Sequence, residues 1–305
     1  MTGFYKGERC SLRVQSVLYN SDPKSVLRAL TRLVRAVQIA KARDLVSTVE
    51  LAWGDGSKTA VFDAAGLERA KSIAAGVIDL RYVVFGENKG TARGHNSLFE
   101  SCEADFLLVM NPDVLLSPEC LLELFRPFKV GNTGIVEARQ LPIEHPKDYQ
   151  PETGETSWAS TACCLVPSRL MRMVRGFDAD TFFLYCDDVD FSWRVRLAGF
   201  KVVYQPSAFV FHDKRLLPDG RWESGAAERY YSAEAALLLA HKYSRPDVLE
   251  HLLRVFSESN DPNFKKAVQE FKARKKRDEL CPPIDPNHAV GEFVNGAYAN
   301  HRFSL

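Results

Sequence analysis

The sequence predicts an α/β protein with a mostly parallel central sheet flanked by helices, followed by a C-terminal helical extension. Three observations predict it. The front half alternates short apolar runs with longer amphipathic stretches, a repeated strand-helix rhythm. Several apolar runs break off in turn formers and polar side chains, as strands do where an open sheet collects its ligands. From about Gly225 onward, the apolar spacing is three to four residues, the period of helices.

The elements follow in order. "LRVQSVLY" reads as the first strand, and Asp22 then stands as N-cap with Pro23 at the first helical position of a helix to Ala42. Val26, Leu30, Leu33, Val34 and Val37 share its apolar face. A strand in "LVSTVELAW", a helix from about Ala64 to Ala75, the strand "LRYVVFG", a helix near Ala92 to Cys102 and the strand "DFLLVM" continue the rhythm. Such units favour parallel pairing with helices on both faces. After Leu141, "PIEHPKDYQPETGE" is rich in turn formers and reads as an exposed loop or flap. "AAERYYSAEAALLLAHKYS", "PDVLEHLLRVFSE" and "DPNFKKAVQEFKARKKRDEL" read as the helices of the extension.

Composition excludes several classes. Across 305 residues, 40 basic and 39 acidic side chains nearly cancel, so no global field points to nucleic acid. Seven scattered cysteines without a C-x-x-C pair fit neither a disulfide framework nor a zinc knuckle, and a reducing compartment is the simpler reading. The N-terminal "MTGFYKGERC" has no apolar core of a leader, and no window approaches the roughly 20 apolar residues of a membrane span. The expectation is a soluble, cytoplasmic protein.

Two acidic clusters carry the chemistry. In "LLVMNPDVLL" a buried strand is interrupted by Asn111, Pro112 and Asp113. A carboxylate at a strand end can face Mg2+ or Mn2+, which need only one or two carboxylates beside water and phosphate oxygens. The alternative is an ordinary turn, since all three residues are turn formers. In "FFLYCDDVDFSWRVRLAGFKVVY", Asp187, Asp188 and Asp190 stand just before a helix containing Phe191, Val195 and Leu197. Capping explains one such acid, not three. Close like charges raise one another's pKa, which makes Asp188 a candidate general base. His212, ending the strand "AFVFH", is either a metal ligand or a structural histidine.

The order and spacing of "ENKGTARGHN", "LLVMNPDVLL", "GFDADTFFLYCDDVDFSWRVRLAGFKVVY" and "VFH" resemble the family 2 glycosyltransferases over roughly Leu12 to His212. The resemblance implies a GT-A fold, Rossmann-like, in residues 1–222. Its nucleotide-binding half would be about 10–113, its acceptor-binding half about 114–222, and residues 223–305 the extension. It implies nucleotide-sugar contacts for Tyr19 and Asn20, for Asp55 in "AWGDGS", for Asn88, Gly90, Arg93 and Asn96, and for Asn111 and Asp113. Trp53 and Gly54 depart from the usual Asp-Asn pair, and Asn111 replaces the first aspartate of the D-x-D motif. Asp113 and His212 match metal-contacting positions, Asp188 the catalytic base, and Asp187 a position commonly Glu. Trp158 would stand at the acceptor wall, with a core tryptophan as the alternative, while Cys163 and Cys164 read as core.

The implied reaction is an inverting displacement at the anomeric carbon, with Mn2+ or Mg2+ as cofactor and a dTDP- or UDP-sugar as donor. Rhamnosyltransferases look most similar, which suggests dTDP-rhamnose as donor and cell-surface polysaccharide, O-antigen or lipopolysaccharide as destination. UDP-hexoses, and a non-catalytic sugar-nucleotide-binding subunit, are the rival readings. The acceptor would be a saccharide or lipid-linked oligosaccharide. The basic run "KKAVQEFKARKKR" leaves open a peripheral contact at the inner face of the plasma membrane, or a solvated helix face. Homodimerisation through the extension is likewise open.

Overall fold

The computed structural model describes residues 9–143, 148–212 and 225–298. Most of the N-terminal "MTGFYKGERC" stretch, residues 144–147 of the expected flap, and the ends of both expected domains at 213–224 and 299–305 lie outside them.

Strand β1 (Cys10–Leu18) leads into helix α1 (Pro23–Ala42). Asp22 caps that helix by accepting from the Lys24 and Ser25 amides, and Val26, Leu30, Leu33 and Val37 are buried beneath it. Strand β2 (Val46–Asp55), helix α2 (Ala64–Ala74), strand β3 (Asp79–Val84), helix α3 (Gly90–Phe99) and strand β4 (Phe106–Met110) complete the rhythm. Strand β5 (Val114–Leu116), helix α4 (Cys120–Phe125), a 3-10 turn (Arg126–Lys129) and strand β6 (Thr133–Leu141) follow. Then come β7 (Glu155–Thr156), β8 (Cys163–Pro167), helix α5 (Ser168–Met173), helix α6 (Asp187–Leu197) and β9 (Lys201–His212). Helices α7 (Ala226–Lys242), α8 (Pro246–Glu258) and α9 (Pro262–Lys276) form the extension.

The sheet runs β3-β2-β1-β4-β8-β6-β9-β5, with β7 also on β9. Pairing is parallel from β3 to β4, as the rhythm predicts. Beyond β4 the sheet is mixed: β8 is antiparallel to both β4 and β6, and β6 is parallel to β9. The strict βαβ alternation stops at β4, so nothing after it imposes parallel crossovers. The flap carries β7, whose ladder on β9 gives this loop an anchor the turn-rich sequence hid.

The apolar run that raised the question of Asp113 is two strands. Phe106–Met110 is wholly buried at the sheet centre, and the chain turns at Asn111–Asp113 and resumes as β5 at the far edge, antiparallel to β9. The extension is not a separate packing unit, because Leu238, Tyr243, Val268 and Phe271 share a core with Phe182, Val189 and Trp193.

Candidate active site

The chain passes from β1 through β2 and β3 and returns to β4 on the other side of β1. That reversal makes the carboxyl ends of β1 and β4 a topological switch point, where open sheets of this kind bind ligands. Of the predicted donor residues, Tyr19 and Asn20 follow β1, Asp55 ends β2, Asn88 to Asn96 follow β3 into α3, and Asn111 and Asp113 follow β4.

Asn20, in the left-handed region at φ 50°, donates its N–H to Ser57 Oγ at 2.8 Å and so ties the loop after β1 to the loop after β2. Tyr19 beside it is half-exposed. Asp55 is fully buried and accepts from the Ser57 amide at 2.9 Å, the Val61 amide at 2.7 Å and the Tyr82 hydroxyl. Burial alone raises its carboxyl, but hydrogen bonds from Ser57, Tyr82 and Val61 outweigh it and hold the group below the usual carboxylate range. Asp55 therefore organises its loop instead of presenting an open carboxylate. The departure at Trp53 and Gly54 has a packing cause: Trp53 stacks on Phe62 at 5.2 Å, and a Cβ at Gly54 would lie 2.2 Å from the Phe85 ring.

The "NKGTARGHN" residues fasten α3 to the segment before α6. Asn88 Oδ1 accepts from the Gly90 amide at 3.0 Å. Gly90, at φ 68°, lies so near the Phe183 carbonyl that a Cβ would approach it to 2.2 Å, so only glycine fits. Arg93 pairs with Asp180 at 3.1 Å on the surface, and Asn96 clamps both the N–H and the C=O of Phe177 at 2.9 and 2.8 Å. As described, these side chains bond to the chain itself.

The turn after β4 brings Asn111, Asp113 and His212 together. The antiparallel register sets Val114 opposite His212, which delivers the ring to Asp113 at 3.6 Å and to Asn111 Nδ2 at 3.5 Å from Nε2. On its other side, His212 Nδ1 lies 2.8 Å from Gln140 Oε1. An amide oxygen only accepts, so Nδ1 carries the hydrogen, and Nε2 is the ring atom that faces Asp113 and Asn111. This is the arrangement by which second-sphere partners orient a metal-binding histidine. The Asp113 side chain is 40% exposed and that of His212 12%. Among the described residues, no group of three or more His, Cys, Asp or Glu side chains is placed to hold a metal ion. One carboxylate and one oriented imidazole nevertheless fit a cation whose remaining positions are filled by diphosphate and water.

The three acids at α6 do different work. They occupy the first helical turn rather than preceding it, after Tyr185 and Cys186 at φ 66° and 53°. Asp190 is fully buried, accepting from Arg194 Nε at 2.8 Å and the Tyr243 hydroxyl at 3.1 Å, with Lys242 Nζ 2.5 Å away. It is a structural anion. Asp187 is also buried, and its Oδ2 accepts from Thr91 Oγ1 at 2.8 Å. Burial, then the charge of neighbouring Asp188, pushes its carboxyl up to about 7. Asp188 is half-buried, its Oδ1 accepting from the Val189 amide at 2.9 Å. Trp158 is 4% exposed, meets Tyr298 edge-on and packs in the core that the extension shares with Phe182 and Trp193. Cys163 and Cys164 are buried and take part in no disulfide among the described residues.

Thr91, Gln140, Lys242 and Tyr243 were not singled out from sequence. Thr91 lies inside the quoted "NKGTARGHN" stretch, and Lys242 is a lysine ending an apolar helical run. Gln140 carries no such mark.

Residues 60–190 match the Glycosyl transferase family 2 model. An N-acetylglucosaminyl-diphospho-decaprenol L-rhamnosyltransferase of Mycobacterium tuberculosis is 30% identical over 171 residues, 56% of this chain and 46% of that protein. This chain thus spans about half the length of that relative. Rhamnosyltransferase WbbL of Escherichia coli is 23% identical, covering 50% of this chain and 72% of the relative. Among solved structures, GalNAc-T7 with UDP, GalNAc and Mn2+ aligns with a TM-score of 0.61 at 11% identity, over 92% of this chain and 56% of that one. Mannosyltransferase PcManGT from Pyrobaculum calidifontis, with GDP-Man and Mn2+, gives 0.56 at 13% identity, over 88% and 70%. No helix among the described residues is long and apolar enough to cross a membrane. With the β1–β4 reversal and these likenesses together, the chain has the GT-A fold, its residues 60–190 match the family 2 glycosyl transferases, and it is similar to rhamnosyltransferases of that kind.

Proposed function

We propose that the protein transfers a sugar from a nucleotide donor to a saccharide or lipid-linked acceptor in cell-wall polysaccharide synthesis, with inversion. The observation that carries the reading is the pairing of two unlike acidic sites. Asp113 and His212 stand side by side, as ligands of a diphosphate-bound cation would, and Asp188 lies in the first turn of α6 beside an Asp187 whose carboxyl is pushed up to about 7.

In this reading the donor lies across the ends of β1, β2 and β4, with Tyr19, Asn20 and the loop held by Asp55 facing the nucleoside. Asp188 accepts the proton of the acceptor hydroxyl as that oxygen bonds to the anomeric carbon and the bond to the diphosphate breaks. Asp187, held by Thr91, keeps a second full charge away from the base. Mn2+ or Mg2+, when bound, supplies charge neutralisation on the departing diphosphate. The relatives named as rhamnosyltransferases favour dTDP-rhamnose as donor, and the decaprenol-linked substrate in one of their names favours a lipid-linked acceptor. UDP-hexoses are the competing donors.

The test is nucleoside diphosphate release from a panel of dTDP- and UDP-sugars with Mn2+. One donor should turn over, and Asp188→Asn should lower kcat by about 10²–10⁴-fold, the range for a lost general base. No release and no metal-dependent donor binding by calorimetry would sink the reading.

A further inference from the structure

The "GFDADTFFLYCDD" segment runs from Gly176 into the α6 turn that bears Asp188, yet its anchors come from elsewhere in the chain. Asn96 and the Gly90–Thr91 backbone hold Phe177 and Phe183 from the α3 side. On the other side a single buried ammonium does the work. Lys242, the last residue of α7, has a side chain only 5% exposed, with Nζ 2.6 Å from Asp178 Oδ2 and 2.5 Å from Asp190 Oδ1. It also lies 5.4 Å above the Phe182 ring. Tyr243, the next residue, donates its hydroxyl to Asp190 and packs edge-on against Trp193 at 4.6 Å.

We propose that Lys242 is a positioning residue for the transfer reaction, fixing the start of that segment and the base-bearing turn of α6 to one point of the helical extension. The proposal rests on the transferase reading for its kinetic consequences. Two anions, Asp178 and Asp190, meet two cations, Lys242 and Arg194, so the cluster is neutral as built. Buried ion pairs are poor sources of net stability, because desolvation consumes most of their attraction. An apolar side chain at 242 would keep the packing of α7 against α6, at the cost of leaving two anions with one cation. What it would not do is set Asp178 and Asp190, which belong to different segments, at a fixed separation. With Asp190 one turn from Asp187, that separation orients the face of α6 that presents Asp188.

The test is Lys242→Met, which keeps the volume and removes the charge, read by amide hydrogen exchange and by kinetics with the donor that the wild type uses. Exchange across 178–190 should quicken about tenfold while β1, β2 and β4 keep their protection. The kcat should fall about tenfold or more, with donor KM within about twofold. Asp178→Asn releases only the loop half of the bridge and should quicken exchange at 178–183 alone, and it decides the question if Lys242→Met does not fold. Unchanged exchange across 178–190 would overturn the proposal, as would quickening spread evenly over the sheet, or a rise in KM at unchanged kcat. If the wild type neither turns over nor binds a donor, the transferase reading falls, and the exchange pattern alone decides whether Lys242 orders the segment.

Discussion

The turn after β4 and the first turn of α6 are both acidic, and they are opposite in design. At the first, Asp113 is partly open to solvent and faces Nε2 of a histidine held in place by Gln140. At the second, Asp190 is fully covered and neutralised by Lys242 and Arg194, while Asp187 is covered and accepts from the Thr91 hydroxyl and from backbone amides of its own turn. The same side chain is a cation-ready ligand, a structural anion and an acid pushed up to about 7, according to what surrounds it. Counting acids in a sequence therefore does not reveal their work.

The largest effect expected from this contrast is on stability. Asp190→Ala removes the one carboxylate that both buried cations near α6 share, and breaking such a pair from one side costs about 3–5 kcal/mol. Asp113→Ala removes an exposed charge and should stay within about 0.5 kcal/mol, the range for surface substitutions. Urea unfolding of the two variants measures both. Equal losses would mean that the buried network is not what separates the two turns.

Much of the fold was legible because it is written in local periods. The Asp22 cap, the apolar face of α1 and the alternation up to β4 all lie within windows of a few residues. The site was legible where a motif kept its chemistry close in sequence, as with Asn111 and Asp113 or Asp187 and Asp188. Register was not legible. Only the antiparallel ladder that sets Val114 opposite His212 brings that histidine to Asp113, 99 residues earlier in number. Burial and partners were not legible either. Asp190 looked like a member of a catalytic cluster because its partner Tyr243 lies 53 residues downstream. Nothing local to Trp158 reveals that Tyr298 packs against it. Asp55 kept its family position, yet its hydrogen bonds close its own loop.

The comparison sharpens at the Asp113 turn through metal binding. Mn2+ titrated with nucleoside diphosphate should bind the wild type, measured by calorimetry, and binding should be lost in Asp113→Ala. Gln140→Leu leaves both proposed ligands in place but frees the ring of His212, and loss of such an orienting partner weakens metal binding by about 10–100-fold. Asp190→Asn, at the other turn, should leave Mn2+ affinity unchanged wherever the variant folds. A Gln140→Leu protein that binds Mn2+ as tightly as the wild type would show that His212 is not held for a cation.

The effect most particular to the α6 turn is its dependence on pH. Burial, and after it the charge on Asp188, raises the Asp187 carboxyl to about 7, against about 3.9 for an unperturbed aspartate in the unfolded chain. Between those values the folded state binds the extra proton, so stability declines as pH rises. The contribution is fully present below about pH 4 and is lost as pH passes through about 7. Asp187→Asn keeps the shape and removes the titration, so its stability relative to the wild type should climb across this window and level off above it. Thr91→Val removes the hydroxyl that favours the charged form and should steepen the wild-type decline. Urea midpoints collected from pH 4.5 to 8 resolve both differences. Parallel curves for the wild type and Asp187→Asn would place the buried charge elsewhere, and the α6 turn would then hold two ordinary carboxylates beside its structural one.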